Sequence, residues 1–474
     1  MQLPPNNALQ NNETLFKKIG VIADNANVEV YLIGGFVRDI FLQRESKDID
    51  IVVVGSGIDF AKKVANSMPK SKFSFFPNFG TAQVLTQDLN LEFVGARKES
   101  YERNSRKPFV EEGTLQDDQD RRDLTINAMS IGLNANNYGK VIDPFDGLQD
   151  IDAQMIRTPL NPDTTFSDDP LRMMRAIRFA TQLGFRIHEE TYDGIERNKE
   201  RISIISQERI TEELNKIILS PMPSIGFEYL FDTGLLQLIF PEMVALHGVE
   251  SINGKAHKDN FYHTLQVLDN VCKVSNDLWL RWAAILHDIA KPATKRFEAG
   301  IGWTFHGHED KGSKMVKGIF TKMRLPQNEK MRFVEKLVLL HLRPIVLAQD
   351  IVTDSAVRRL MVEAGEDIEA LMMLCNSDIT SKNEKKIERV KQNFAIVQEK
   401  IKQVEEKDNL RSWQPPINGN DILNYFEITE PKQIGILKSS IREAILEGLV
   451  KDNFEDALNY LKAQAKSIGI KIKN

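Results

Sequence analysis

Two carboxylates, Asp48 and Asp50, sit two residues apart in the apolar run KDIDIVVVG. Alternate residues of a strand point the same way, so both project from one face while Ile49 and Ile51 are buried behind them. Side-by-side carboxylates repel, and a cation between them keeps both ionised. Hard oxygen ligands on a rigid strand suit Mg²⁺, which also takes waters and substrate phosphates. Just upstream, VYLIGGFVRD places Gly34 and Gly35 between a strand and a short helix. Their backbone N–H groups can approach a phosphate where the helix end favours anions. The combined chemistry is metal-dependent nucleotidyl transfer.

Other residues extend this site. Glu92, in LNLEFVGAR, is a carboxylate on an apolar strand. It reads either as an exposed strand residue or as a third acid on a neighbouring strand. Arg122, Asp123 and Asn127 lie in RRDLTINAM, where Asp123 also suits a helix cap. Asp169 precedes LRMMRAIRFATQL, whose Arg172, Arg175 and Arg178 form one helical stripe. An Asp and an Arg three residues apart can offer an acceptor beside a donor fork. Cytosine and adenine present an amino group beside a ring-nitrogen acceptor, and guanine and uracil present the reverse. Such a pair accepts C and A and discriminates by roughly 1–3 kcal/mol per good contact.

A second constellation runs His263, His287-Asp288, His308, His341 and Asp378. Imidazoles with carboxylates suit a transition metal such as Mn²⁺, Fe²⁺, Co²⁺ or Ni²⁺. Two such ions could activate a water against a phosphate ester. His257 and His306 fall outside this pattern, and His188 and His247 read as structural or surface residues.

These residues require a sheet followed by helices. Strand candidates are VYLIGG, DIDIVVVG, TAQVLT, LNLEFVGAR and INAMSIGLN, with helical segments at 13–27 and 57–68. Between Lys98 and Gln119 the pattern breaks into mixed charge without periodicity, which predicts a long loop. Beyond NPDTTFSDDP nearly everything carries helical period, and residues 186–250 show no obvious ligand. A charged helix over 382–407 and the Pro-Pro and Asn-Gly signals of SWQPPINGND mark a final module.

The 474 residues exceed one core and predict several domains. A net charge of −5 leans against nucleic-acid binding, but basic clusters at 97–107, 382–391 and in the tail permit it locally. Two cysteines, no membrane-length apolar run and a polar N-terminus predict a cytoplasmic protein without membrane partners.

The block GGFVRD followed by DID, with RRDLTINAM, resembles the nucleotidyltransferases related to DNA polymerase β. In particular it resembles the bacterial-type tRNA nucleotidyltransferases and poly(A) polymerases. The order H…HD…H…H…D resembles the HD phosphohydrolase superfamily. The resemblance implies an α+β chain: a polymerase-β-like head on a mixed sheet (1–150), a helical neck binding the nucleotide base and tRNA (151–250), an HD domain (251–410) and a helical tail (411–474). It implies Mg²⁺ on Asp48 and Asp50, with Glu92 as the third acid. Gly34, Gly35, Arg38, Arg122, Asp123, Asn127, Asp169, Arg172, Arg175 and Arg178 are implied to bind nucleotide, Arg122 contacting phosphate and Asp123 the ribose hydroxyl. The segment near 98–119 would be the flexible loop used in switching from CTP to ATP. Where the family has Glu-Asp-x-x-Arg, Asp168 replaces the Glu. The implied activity is template-independent addition of C, C and A to the tRNA 3′ end from CTP and ATP, with phosphohydrolase activity in the HD domain. The alternatives are a poly(A) polymerase, a CC- or A-adding enzyme, or an HD phosphohydrolase with a nucleotide-binding head.

Overall fold

The structure is a computed structural model, and it describes all residues except 1–3, 5–7, 69, 78–79, 101–108, 253–254, 348–352, 381–383, 409–412 and 474. The chain divides into two compact units, Met1–Val244 and Ala245–Asn474.

In the first unit the strands up to residue 142 are β1 (Val30–Ile33), β2 (Asp48–Val53), β3 (Lys72–Phe76), β4 (Thr81–Leu85), β5 (Asn90–Gly95), β6 (Arg97–Ser100), β7 (Phe109–Glu112), β8 (Ser130–Gly132) and β9 (Val141–Ile142). Seven of them form one mixed sheet in the order β3-β4-β5-β2-β1-β8-β9. Only the β2–β5 pair is parallel within it. Ile49, Ile51, Leu91 and Phe93 are fully buried beneath this sheet, whereas Asp48 is exposed and Asp50 half-buried. The alternation of β-branched and acidic residues therefore sets the register that displays the carboxylates.

All five expected strands are present. The edge strand β3 escapes sequence reading because Phe75 and Phe76 are exposed, so KFSFF shows no buried period. The expected loop over 98–119 is corrected. Arg97–Ser100 pairs antiparallel with Phe109–Glu112, and a capped helix follows at Leu115–Asp120. Mixed charge hid both elements because neither strand is a core strand and the helix is only six residues long. Residues 101–108 of that segment lie outside the described ones.

Beyond the sheet the unit is helical. Helix Leu171–Leu183 buries Met173, Met174, Ala176, Ile177 and Ala180 and stops at Gly184, whose φ is +72°. A short parallel ribbon, Met155–Ile156 with Arg186–Ile187, interrupts the helical run.

The second unit is mainly helical; among its described residues Ser251–Ile252 pairs antiparallel with Lys255–Ala256, and Arg296–Glu298 with Gly302–Thr304. Its last part has its own core, including Ile422, Phe426, Leu437, Ile441 and Leu461. Asn418 caps the helix Gly419–Tyr425 with a reciprocal bond to Asp421, which explains the Asn-Gly boundary signal. Among the described residues, no helix is long and apolar enough to cross a membrane.

Candidate active sites

In the first unit, the register pairs Ile33 with Asp50 and Asp50 with Glu92. Gly34, the next residue after β1, therefore lies against the Asp50 carboxylate. A Cβ on Gly34 would stand 2.9 Å from Asp50 Oδ2 and 3.1 Å from Arg122 Nη1. Its φ of +76° also disfavours any side chain. Helix Gly35–Phe41 then starts beside the acids and buries Phe36, Val37 and Ile40.

Desolvation raises the Asp50 carboxyl above its ordinary range; Arg122 opposes this and Asp48 reinforces it. Partial desolvation, then the charges of Asp50 and Asp48, raise Glu92 as well, although that residue is exposed overall. Asp48 Oδ1 accepts a hydrogen bond from Asn90 Nδ2 at 3.0 Å. Acids held above their ordinary range are stabilised by a divalent cation, so the donor chemistry fits one. Among the described residues, however, the compact groups of three or more ligands do not include this trio.

Asp50 opens on a cleft of about 520 Å³, which neither Asp48 nor Glu92 lines. Gly34, Gly35, Arg38, Asp50, Arg122, Asp123, Asn127, Asp169, Arg172 and Arg175 all line it. Asp123 accepts from Arg175 Nε at 2.6 Å and Asn127 Nδ2 at 3.1 Å, and Asn127 Oδ1 accepts from Arg38 Nη1 at 2.9 Å. Burial would raise the Asp123 carboxyl, but Arg175 and these hydrogen bonds hold it well below the usual range. Arg122 is anchored by the buried Asp118 at 2.9 Å. Asp169 lies between two helices rather than within one, and its Oδ1 accepts from the Leu171 N–H at 3.1 Å. The Arg172 guanidinium donates to the carbonyls of Arg121 at 2.7 Å and Thr165 at 3.4 Å, leaving three N–H donors for other partners.

Arg178 departs from the expected stripe. It is buried, sits 3.1 Å from Glu213 and stacks 4.1 Å from the Phe179 ring centroid, outside the cleft lining. Helical spacing aligned the three arginines but did not say which way the stripe turns. Sequence reading missed Arg97, Arg121, Phe179 and Arg209, which also line the cleft. Arg209 comes from the segment that showed no ligands and reaches Asp169 Oδ2 at 3.8 Å. Its position in QERITEEL gives no signal, because only folding brings residues 169 and 209 together.

In the second unit all six expected ligands converge. They form two groups, His263–His287–Asp378 and Asp288–His308–His341, each with ligand atoms within 4.8 Å of one another. Asp288 links them: Oδ2 is 3.2 Å from His287 Nε2 and 3.5 Å from His263 Nε2, while Oδ1 is 3.2 Å from His308 Nε2. The other ring nitrogens are fixed from outside. Nδ1 of His287, His308 and His341 contact the carbonyls of Ala284, Phe305 and Val338 at 2.7, 2.8 and 2.7 Å. His263 Nδ1 lies 3.0 Å from Thr380 Oγ1. Outer contacts of this kind set the tautomer and aim Nε2 inward. His287 Nε2 is buried without a hydrogen bond of good geometry. Burial would lower its pKa, but Asp288 raises it to about 9. His341 is pushed down to about 4 by burial and by His287. Lys291 Nζ stands 2.5 Å from Asp288 Oδ2. A buried set of inward nitrogens around carboxylates fits one or two transition-metal ions.

Known proteins resemble the chain region by region. Residues 30–157 match the poly A polymerase head domain, 184–246 a probable RNA and SrmB-binding site of polymerase A, and 260–382 the HD domain. The multifunctional CCA protein of Psychromonas ingrahamii is 33% identical over 310 residues, covering 63% of this chain and 71% of that protein. This chain belongs to the multifunctional CCA protein family. Another member, from Pseudomonas aeruginosa strain LESB58, is 32% identical over 314 residues, covering 64% of this chain and 72% of its own. Solved structures share the fold at lower identity. A CCA-adding enzyme in apo form I gives a TM-score of 0.64 at 23% identity, over 96% of this chain and 94% of that one. The Thermotoga maritima CCA-adding enzyme complexed with tRNA gives 0.60 at 22%, over 98% and 96%. The polymerase-β-like head, helical continuation and HD domain of this multifunctional CCA protein family member are thus those the motifs implied.

Proposed function

We propose that the chain adds C, C and A to the 3′ end of tRNA from CTP and ATP, without a nucleic-acid template. The observation that carries this is one cleft lined together by Asp50, Gly34, Arg122, Asp169 and Arg172. Family membership supports the same reading, and solved CCA-adding enzymes carry ATP or CTP. Asp48 and Asp50 would hold Mg²⁺, with Glu92 beside them; the ion supplies charge neutralisation at the α-phosphate and the departing pyrophosphate. Gly34 and Gly35 let the backbone approach the phosphates, and Arg122, Arg38 and Arg175 supply positive charge around them. Asp123 takes the ribose hydroxyl. Asp169 accepts the amino hydrogen of C or A, and Arg172 donates to the adjacent ring nitrogen.

In this reading, residues 1–150 are the catalytic head, 151–250 the neck, 251–410 the HD domain and 411–474 the tail. The HD ligands would take Mn²⁺, Fe²⁺, Co²⁺ or Ni²⁺, which supplies electrophilic activation of a phosphate ester such as a 2′,3′-cyclic phosphate or 2′-nucleotide. The protein would work in the cytoplasm, where tRNA and both nucleotides are present. Purified protein given tRNA lacking three, two or one terminal nucleotides, with each labelled NTP in turn, tests the reading. Incorporation of A alone or in long runs would assign it to the partial-adding enzymes or the poly(A) polymerases.

A further inference from the structure

The two halves of the HD ligand set differ in access. A cleft of about 680 Å³ is lined by His263 and Asp378, which belong to the first group. His287 of the same group, and Asp288, His308 and His341, are 6% exposed or less and do not line it. Anything entering this cleft meets the His263–Asp378 side first.

The cleft also has an aromatic wall that the metal pattern does not account for. Trp303 and Phe305, on and just after the ribbon Arg296–Thr304, line it together with His257. The His257 ring stands edge-on to Trp303 at 5.4 Å and to Phe305 at 5.9 Å. Lys295 Nζ lies 4.6 Å from the Trp303 centroid and is fixed by Glu250 at 2.8 Å, while Phe297 meets Trp303 edge-on at 5.4 Å. These rings are already held, so little rotamer freedom remains to be lost on binding. Two ammonium groups border the same space. Lys291 Nζ is 5.7 Å from the Phe305 centroid, and Lys258 Nζ donates to the Thr380 carbonyl at 2.8 Å.

Metal ligands, ammonium groups and aromatic rings thus share one cleft. Inorganic phosphate or a simple phosphate ester would engage the ligands and cations and leave the aromatic wall without a role. A nucleotide has a charged end for the former and a flat π-face for the latter. We propose that Trp303, with Phe305, is the base-recognition residue of the HD site, making it selective for phosphoesters that carry a nucleobase. This rests on the reading of that site as a phosphohydrolase.

The test uses the full chain loaded with Ni²⁺ and two cyclic esters, adenosine 2′,3′-cyclic phosphate and base-free glycerol 1,2-cyclic phosphate. Loss of one base-stacking contact predicts that Trp303→Leu raises the KM for the adenosine ester about tenfold, with kcat little changed. Hydrolysis of the glycerol ester should be unaffected, and Trp303→Phe should restore most of the lost affinity. Phe305→Leu should show the same selectivity if Trp303→Leu fails to fold. Equal losses on both esters, or none on either, would overturn the proposal. A binding measurement separates it from the phosphohydrolase reading. All four tryptophans lie at residue 279 or beyond, and none lines the head cleft. Adenosine 3′-monophosphate should quench the wild-type fluorescence, and Trp303→Leu should lose that quench. If neither ester is hydrolysed the phosphohydrolase reading fails, but the Trp303-dependent quench still supports base recognition. Absence of the quench in wild type overturns it.

Discussion

Asp50 does two opposed things at once. Burial and the neighbouring Asp48 raise its carboxyl, so the unfolded chain releases that proton first as pH rises. Stability therefore falls across the window from the ordinary aspartate pKa up to the raised folded one, and stays lower above it. Asp50→Asn should abolish nucleotide addition yet raise the thermal midpoint of the metal-free protein at neutral pH, with the gain vanishing in acid. Parallel activity assays and melting curves at pH 3.5 and 7.5 check this, and a destabilised Asn variant at pH 7.5 would contradict it. The base-reading pair makes a different prediction. Asp169→Ala and Arg172→Ala should raise UTP and GTP incorporation relative to CTP and ATP, eroding discrimination by roughly tenfold or more. A uniform rate loss for all four nucleotides would make the pair structural. That outcome has a physical route for Arg172, whose guanidinium also ties the carbonyls of Arg121 and Thr165 together. These residues were legible because chemistry and spacing coincided. Arg178 and Arg209 were not, since one turns away to Glu213 and the other arrives from a distant helix.

At the scale of elements, the first turn of the head decides the geometry. Gly34 joins β1 to the helix Gly35–Phe41 in a left-handed conformation, with the Asp50 carboxylate where its side chain would go. Gly34→Ala should therefore displace Asp50 or Arg122 and cut nucleotide addition by about 100-fold, while the helix, whose Phe36 and Ile40 remain buried, stays folded. Circular dichroism alongside single-turnover addition distinguishes this from unfolding; near-normal turnover would refute the close approach. Strands and helices with a buried face were readable, as β2 and Leu171–Leu183 show. The β6–β7 ribbon, the edge strand β3 and the ribbon carrying Trp303 were not. None pairs a continuous buried face with a length that periodicity can register.

For the whole molecule, two metal-fitting sites lie in separate compact units, the head acids before residue 244 and the HD set after 245. Sites in separate units should respond to mutation additively. Asp288→Ala should remove transition metal and any phosphoester hydrolysis while leaving CCA addition within about twofold of wild type. Metal analysis and both assays on one preparation test this, and joint loss of the two activities would deny their independence. The succession of head, helical and HD regions was legible because each has its own pattern: alternation, helical period, and widely spaced His and Asp. Which of the six HD ligands reach the cleft, His263 and Asp378, and which stay buried was not, because it depends on the packing of helix ends and a ribbon. CCA addition by the head is tested most directly by the product formed on tRNA lacking its CCA end with all four nucleotides present. Extension by C, C and A, then arrest, with no U or G, is expected, and no extension by Asp48→Ala. Stable addition of U or G, unlimited A, or full activity in Asp48→Ala would contradict it.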